Sequence, residues 1–494
     1  MLLTREKANY ALILIIIFSV SIRFICIDNP IADEHAWRQT NRAMIARNFS
    51  NNGMNFLYPQ VDWAGKSSGY AQTEFPIYPY AVALLYKLFG VNEYLGRLIS
   101  IFFFTITLLF IYKLTRKLWN QEIALLASFS FSILPLNLFF TRAFIPEPML
   151  SFFTTCSIFY SIMWSEKEKN RYFLFSAVAA SLALLIKLMA AVYLAIPLAY
   201  IWYRKRRLLS SKAVIFSIIV LVPNILWYLH SYWTYKWSGI TIFGSEGSGT
   251  WRFADIHILI DPRFYLTIFE MFLNALTPLG LLLFAGGIFL RKEKPEQGYI
   301  KAWMVGMFVF IIMFARGSMK HNYYQVPLMV PASIMIGAFI YYSAGWISVF
   351  FQKTGKYERF RTAFVAVILF FFCCLVPVYV KNYYRLHSEQ TLKAGMITQR
   401  IAQRDSLVAF VNDKPRWVQF TYYCERKTVH HSLSKLNKKW IKHNSDNGTA
   451  FLVMSFEKKE NNSKNFLKVS PIGKFLAAKY LISYQDTKII IFKL

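Results

Sequence analysis

Four carboxylates stand out by their settings. Asp33 and Glu34 open the run DEHAWRQTNRAMIARNF, directly after the first long apolar stretch. Adjacent acids cannot share one helix face. One can cap the helix start, where negative charge is favoured, while the other is aimed as a general base. Glu74 sits in the rigid, aromatic TEFPIYPY, and Glu147 lies between Pro146 and Pro148, about a turn beyond Arg142. Acids at a membrane edge are costly unless paired or functional. The plain alternatives are a capping pair, a solvated loop Glu and a structural Arg–Glu pair.

Cations form the complementary set. Lys187 interrupts LALLIKLMAAVYL, and Arg316, Lys320 and His321 fall in ARGSMKHNYYQVPLMVP beside Tyr323, Tyr324 and Gln325. Converging cations suit a phosphate or diphosphate. His321 could instead share a proton or bind metal. Against these stand a snorkelling lysine and a water-screened surface loop. His230, Glu246, Arg252 and His257 lie in or beside the Gly- and Trp-rich segment 234–263, whose composition suits a mobile lid. No Walker, GxGxxG or HExxH pattern stands out, so a soluble-cofactor reaction has no support.

The elements that must position these groups are apolar. Of the 494 residues 56% are hydrophobic and 17% charged, against roughly 45–50% and 25% in soluble domains. Mean hydropathy is +0.35. A soluble enzyme of this size cannot hide that much apolar surface, and disordered chains lack it. Apolar stretches near the roughly 20 residues that cross a bilayer fall at 8–27, 95–112, 122–140, 147–164, 172–187, 188–203, 213–233, 264–290, 301–315, 324–346 and 362–380, eleven in all. The pair within 172–203 reads as a tight hairpin around Lys187. With the N-terminus in the cytoplasm, short basic loops at 113–117, 167–171, 204–207, 291–294 and 353–361 all lie inside, as the positive-inside rule requires.

Two parts then lie outside the cytoplasm. Residues 28–94 form a first loop with one helix in DEHAWRQTNRAMIARNF and a second, short and aromatic, in FPIYPYAVALLYKLFG. The latter is too short to span and suits the membrane surface. Residues 381–494 carry short strand-like runs (SLVAFV, AFLVMSF, KYLISY, KIIIFKL) and read as a soluble α/β domain. Residues 1–380 form the transmembrane domain. The formal net charge of +30 divides between the inside loops and this tail, which holds 21 Lys and Arg against 8 Asp and Glu. Nucleic acid is not the implied partner, because the basic clusters are not interleaved with a stacking surface. The five cysteines show no paired or CxxC spacing and read as small hydrophobes.

These segments, in order, resemble the GT-C membrane glycosyltransferases of the dolichyl-phosphate-mannose–protein mannosyltransferase and aminoarabinose transferase type, in their bacterial form. The carriers are DEHAWRQTNRAMIARNF, YPQVDWAG, TEFPIYPYAVALLYKLFGVNEYLGRL, TRAFIPEP, LALLIK, KHNYYQVPLMVP and WVQFTYYCERK. The resemblance implies a polytopic α-helical membrane enzyme, with juxtamembrane helices in the first loop and a small extracytoplasmic α/β domain. It implies inverting transfer of a sugar from a polyprenyl-phosphate carrier to a lipid or glycan acceptor outside a bacterial plasma membrane. By position it implies catalytic roles for Asp33, Glu34, Glu74 and Glu147. It implies donor-phosphate roles for Arg142, Lys187, Arg316, Lys320, His321 and Tyr324. It fixes no cofactor and leaves metal dependence open; a divalent metal with Glu74 and His257 as ligands is the one candidate. Aminoarabinose transferases carry a Lys where this chain has Phe75, so their phosphate clamp does not transfer directly. A lipid-linked oligosaccharide flippase and an O-antigen-type polymerase are the alternatives. The first is disfavoured by the long first loop and folded tail, the second because the large loop comes first.

Overall fold

The structure is a computed structural model and describes residues 4–243, 252–291, 293–349, 357–414, 416–458 and 461–494. Glu246, Lys292, Lys353 and Lys356 lie outside the described residues. Six helices are long and apolar enough to cross a membrane: Arg5–Phe24, Glu93–Leu118, Ser211–Ser238, Pro262–Phe289, Asn322–Val349 and Tyr357–Val380. The remaining expected segments are also helical but do not meet that measure. Gln121–Ile133 stops short because Pro135 has no N–H to donate and holds Leu134 extended, after which Pro135–Phe140 restarts as a separate turn. Glu147–Lys167 is rich in hydroxyls, and Thr154 and Thr155 return theirs to the carbonyls of Leu150 and Ser151. Gly298–Met313 is a further helix. The run 172–203 is two helices, Asn170–Ile186 and Ala190–Arg204, parted where Lys187 turns extended (φ −156°, ψ 100°). The chain is thus a multi-pass helical membrane protein.

The chain forms two compact units, Met1–Ile27 with Arg97–His230 and Ser248–Tyr384, and Asp28–Gly96 with Ser231–Gly247 and Arg385–Leu494. The first unit is the helical one. Its helices approach closely through small residues: a Cβ on Gly337 would stand 2.5 Å from the backbone nitrogen of Ala127. Arg23 is fully buried there. It donates to Thr141 Oγ1 at 2.6 Å, to the Ser19 carbonyl at 2.8 Å and to the Ser132 carbonyl at 3.2 Å. Its guanidinium also lies 3.2 Å from the Phe104 ring centroid. A buried cation survives only with such satisfaction.

The second unit holds the first-loop helices and a five-stranded sheet. Its strands are β1 (Leu407–Asn412), β2 (Lys427–Ser432), β3 (Thr449–Ser455), β4 (Leu481–Gln485) and β5 (Ile489–Lys493), in the order β2-β1-β3-β5-β4. β1 pairs parallel with β2 and β3, while β5 runs antiparallel to β3 and β4. Every residue of β1 is buried, as expected of a central parallel strand covered on both faces. Val408 and Phe410 pack with Ala394, Phe420 and Cys424, from helices Glu389–Ile401 and Trp417–Cys424. Ala409 and Val411 face Ile441 and Leu476, from helices Lys438–Asp446 and Pro471–Lys479.

Both first-loop helices form. Ile77–Phe89 buries Tyr78, Val82, Ala83 and Tyr86 and exposes Leu84, Leu88 and Phe89. Ala36–Asn51 is buried along almost its whole length, polar residues included. Between them Gly69 (φ +78°) allows a tight approach, since a Cβ there would meet the Val61 carbonyl oxygen at 2.2 Å.

Candidate active site

In the second unit the centre is the turn before helix Ala36–Asn51. His35 takes the left-handed conformation (φ 51°) and offers no side-chain cap. The Asp33 carbonyl accepts the Ala36 amide at 3.1 Å. Asp33 is buried (1% exposed). Gln39, on the following turn, donates its Nε2 to Asp33 Oδ1 at 2.5 Å and to the Glu34 carbonyl at 2.9 Å. Glu34 lies 3.5 Å from His35 Nε2 and 3.5 Å from His387 Nε2.

Glu74 faces the same helix. Arg42 forms an ion pair with it, and Arg38, one turn earlier on that face, stands at 3.7 Å. Its loop is fixed by Ser231, whose Oγ accepts the Thr73 amide at 3.1 Å and donates to the Thr73 carbonyl at 2.8 Å. Phe75 makes an edge contact with Phe56, ring centroids 4.9 Å apart. Two guanidinium groups beside Glu74 make a setting of the wrong sign for a divalent cation. Among the described residues no three His, Cys, Asp or Glu group as a metal would need. His257 is exposed on the short helix Ile256–Ile260 of the other unit.

In the first unit a second cluster surrounds Lys187. Glu147 opens helix Glu147–Lys167, where the macrodipole favours an acid, and is 1% exposed. Lys187, 5% exposed, places Nζ 3.5 Å from Glu147 Oε1. The ammonium also lies 3.9 Å from the Tyr324 ring centroid and 4.9 Å from that of Tyr323, a cation–π arrangement. His321 adds its ring at 5.2 Å from Tyr323 and 5.5 Å from Tyr324. Lys187 does not snorkel; it is held inside.

Arg142 is buried, donates to the Cys26 carbonyl at 2.6 Å and covers the Tyr384 ring at 4.4 Å. Arg316 pairs with Asp255. The Ile258 amide leads in holding the Asp255 carboxyl below the usual range; burial opposes it, and Arg316 and His257 add to the lowering. Lys320 is exposed. The structure therefore gathers Glu147, Lys187, Tyr324 and His321 into one cluster, and Asp33, Glu34 and Glu74 along one helix. Arg38, Gln39, Arg42 and His387 went unnoticed in the sequence, and Tyr323 was noted only as a neighbour of the cations. The four-residue spacing of Arg38 and Arg42 was a readable signal; His387 had none.

A family model described as dolichyl-phosphate-mannose-protein mannosyltransferase matches residues 73–228. Two uncharacterized proteins of Aquifex aeolicus (strain VF5) are 26% identical over 271 and 265 residues, or 54% and 52% of this chain. Those matches span 52% and 58% of the relatives' own lengths, so the chain matches little more than half of each. Among solved structures, ArnT from Cupriavidus metallidurans bound to undecaprenyl phosphate superposes with a TM-score of 0.62 at 12% identity, covering 97% of both chains. AglB, the oligosaccharyltransferase of Archaeoglobus fulgidus, gives 0.58 at 11% identity over 91% of this chain and 69% of its own. The chain shares the fold of these solved structures along most of its length.

Proposed function

We propose that this GT-C chain is an inverting glycosyltransferase. It moves a sugar from a polyprenyl-phosphate carrier to a lipid or glycan acceptor on the extracytoplasmic side of a bacterial plasma membrane. The observation that carries this reading is the Asp33 carboxylate, buried and fixed by Gln39 at 2.5 Å. A base held this way is pre-aimed, which is what proton abstraction from a hydroxyl needs. Undecaprenyl phosphate bound to ArnT, a protein of the same fold, supports the choice of carrier.

In the reaction, the acceptor hydroxyl gives its proton to the Asp33 carboxylate as its oxygen attacks the anomeric carbon. The bond from that carbon to the carrier phosphate oxygen breaks on the opposite face, which inverts the centre. Polyprenyl phosphate leaves as the anion. Cations and hydroxyls that stabilise this developing charge lower the barrier most. Lys187, set among Glu147, Tyr323 and Tyr324, is assigned that role, with Arg142, Arg316, Lys320, His321 and Tyr324 as further donor-phosphate groups. Glu147 orients the Lys187 ammonium until phosphate arrives. Glu34 and Glu74 shape the ground around Asp33, Glu74 through Arg38 and Arg42.

The domain assignment follows the same reading: a transmembrane domain over 1–380 that includes the external loops 28–94 and 234–263, and an extracytoplasmic α/β domain over 381–494. The test incubates the purified protein in detergent with a panel of polyprenyl-phosphate sugars and an envelope lipid extract. Release of free polyprenyl phosphate with one of them is the expected result. No release from any, with lipid-linked glycan moved across liposomes instead, overturns it in favour of a flippase.

A further inference from the structure

The turn that carries Asp33 is gripped by three separate stretches of its own unit. The Ile31 amide donates to Glu93 Oε2 at 3.1 Å. Gln39 binds Asp33 and Glu34 from the helix that follows. The third grip comes from the far end of the chain. The His387 amide donates to the Ala32 carbonyl at 2.8 Å, and His387 Nε2 lies 3.5 Å from Glu34 Oε2. One residue thus engages both neighbours of Asp33.

The local backbone explains why such a grip is needed. His35 holds a positive φ of 51°, unusual for a side chain with a Cβ. A residue in that region persists where its surroundings over-determine it. His387 is followed by Ser388 (φ 70°) and then helix Glu389–Ile401. That helix seats Ala394 in the core of the sheet. The turn is therefore tied through a short segment to a packed element. A second tie secures the other end of helix Ala36–Asn51. Arg47, 6% exposed, donates to the Tyr422 carbonyl at 2.9 Å and lies 3.1 Å from Asp62 and 3.5 Å from Glu425. The helix is pinned at both ends to the C-terminal α/β part.

We propose that His387 is a positioning residue: it fixes the Ala32–His35 turn and thereby aims the Asp33 carboxylate, which makes the C-terminal part a scaffold for the catalytic helix. The inference rests on Asp33 being the base. His387 itself touches no reacting atom. A base misplaced by about 1 Å loses on the order of a hundredfold in rate, so a small relaxation of the turn is enough to register.

The experiment uses the full chain in detergent, as wild type and as His387→Ala, His387→Gln and Asp33→Asn. Hydrogen exchange of the peptide covering 28–38 reads the turn directly. Turnover of whichever polyprenyl-phosphate sugar the wild type accepts reads the consequence. His387→Ala speeds exchange in that peptide while peptides of the sheet stay protected. It lowers kcat about tenfold with donor KM within about twofold. His387→Gln, which keeps an N–H near Glu34, restores most of both. Unchanged exchange in His387→Ala overturns the inference whatever the activity, and faster exchange with unchanged kcat overturns the positioning role. Asp33→Asn separates the two levels: if it turns over like wild type, the reading of Asp33 has failed, and exchange alone still decides the tie.

Discussion

Asp33, Glu147 and Lys187 were each legible from their surroundings, because an ionisable residue beside prolines or inside an apolar run is costly without a purpose. Their partners were not legible. Nothing in the sequence links Gln39 to Asp33 more than to any other acid near that helix. His387 is far from the first loop along the chain, and only the fold brings it to Glu34. Glu147 meets the Lys187 ammonium at 3.5 Å, a partner forty residues away that its sequence neighbourhood does not announce. That pair supports a prediction. Removing one member of a buried pair leaves an uncompensated charge, at a cost of about 3–5 kcal/mol. Lys187→Met is therefore expected to lower thermal stability sharply in detergent. Adding Glu147→Gln recovers much of it, since the orphaned charge is gone, but the double variant stays inactive. A Lys187→Met protein as stable as wild type contradicts the pairing.

At the scale of elements, every expected apolar segment is a helix, and the break within 172–203 falls at Lys187. Hydropathy set these positions well because each helix must bury or face apolar surroundings with its whole length. It was less informative about length. The stretch at 122–140 ends early at Pro135, and among the described residues six helices reach spanning length and composition. Four of the five tail strands were legible from their β-branched and aromatic runs; the polar β2 was not, nor was the strand order, because β1 lies between two strands that follow it in sequence. His430 on β2 stacks on Trp417 with centroids 4.3 Å apart. Burial, with a smaller contribution from His431, pushes its pKa below 6.5. The neutral ring is thus the form the fold prefers. Its contribution is complete above the unfolded value of about 6.5 and is lost as the pH falls through the lowered one. Melting of the α/β part is expected to shift down between about pH 7 and pH 5. His430→Phe, which keeps a stacking ring, should flatten that part of the profile. An equal pH slope in the variant removes His430 from the account.

At the scale of the whole molecule, the charge of +30 first suggests a polyanion partner and is better explained by topology. Basic residues concentrate at the ends of successive helices and in the C-terminal part, and the proposed topology puts the former on one side. The proposed orientation can be read with a membrane-impermeant maleimide on intact cells, in a background where the five native cysteines are replaced by alanine. Lys442→Cys, exposed on the C-terminal part, is expected to label, and Lys294→Cys, exposed in a basic loop, is expected to stay protected until the membrane is opened. The reverse pattern would place the Asp33 turn in the cytoplasm and remove the proposed acceptors. The central claim is narrower: that Asp33 takes the acceptor proton in sugar transfer from a polyprenyl phosphate. Its most direct test is release of free polyprenyl phosphate by Asp33→Asn beside wild type. Asparagine keeps the shape and the Gln39 hydrogen bond but cannot accept the proton. The account predicts a folded, donor-binding variant slowed by about a hundredfold to ten-thousandfold, the usual contribution of a general base. Release at the wild-type rate contradicts it.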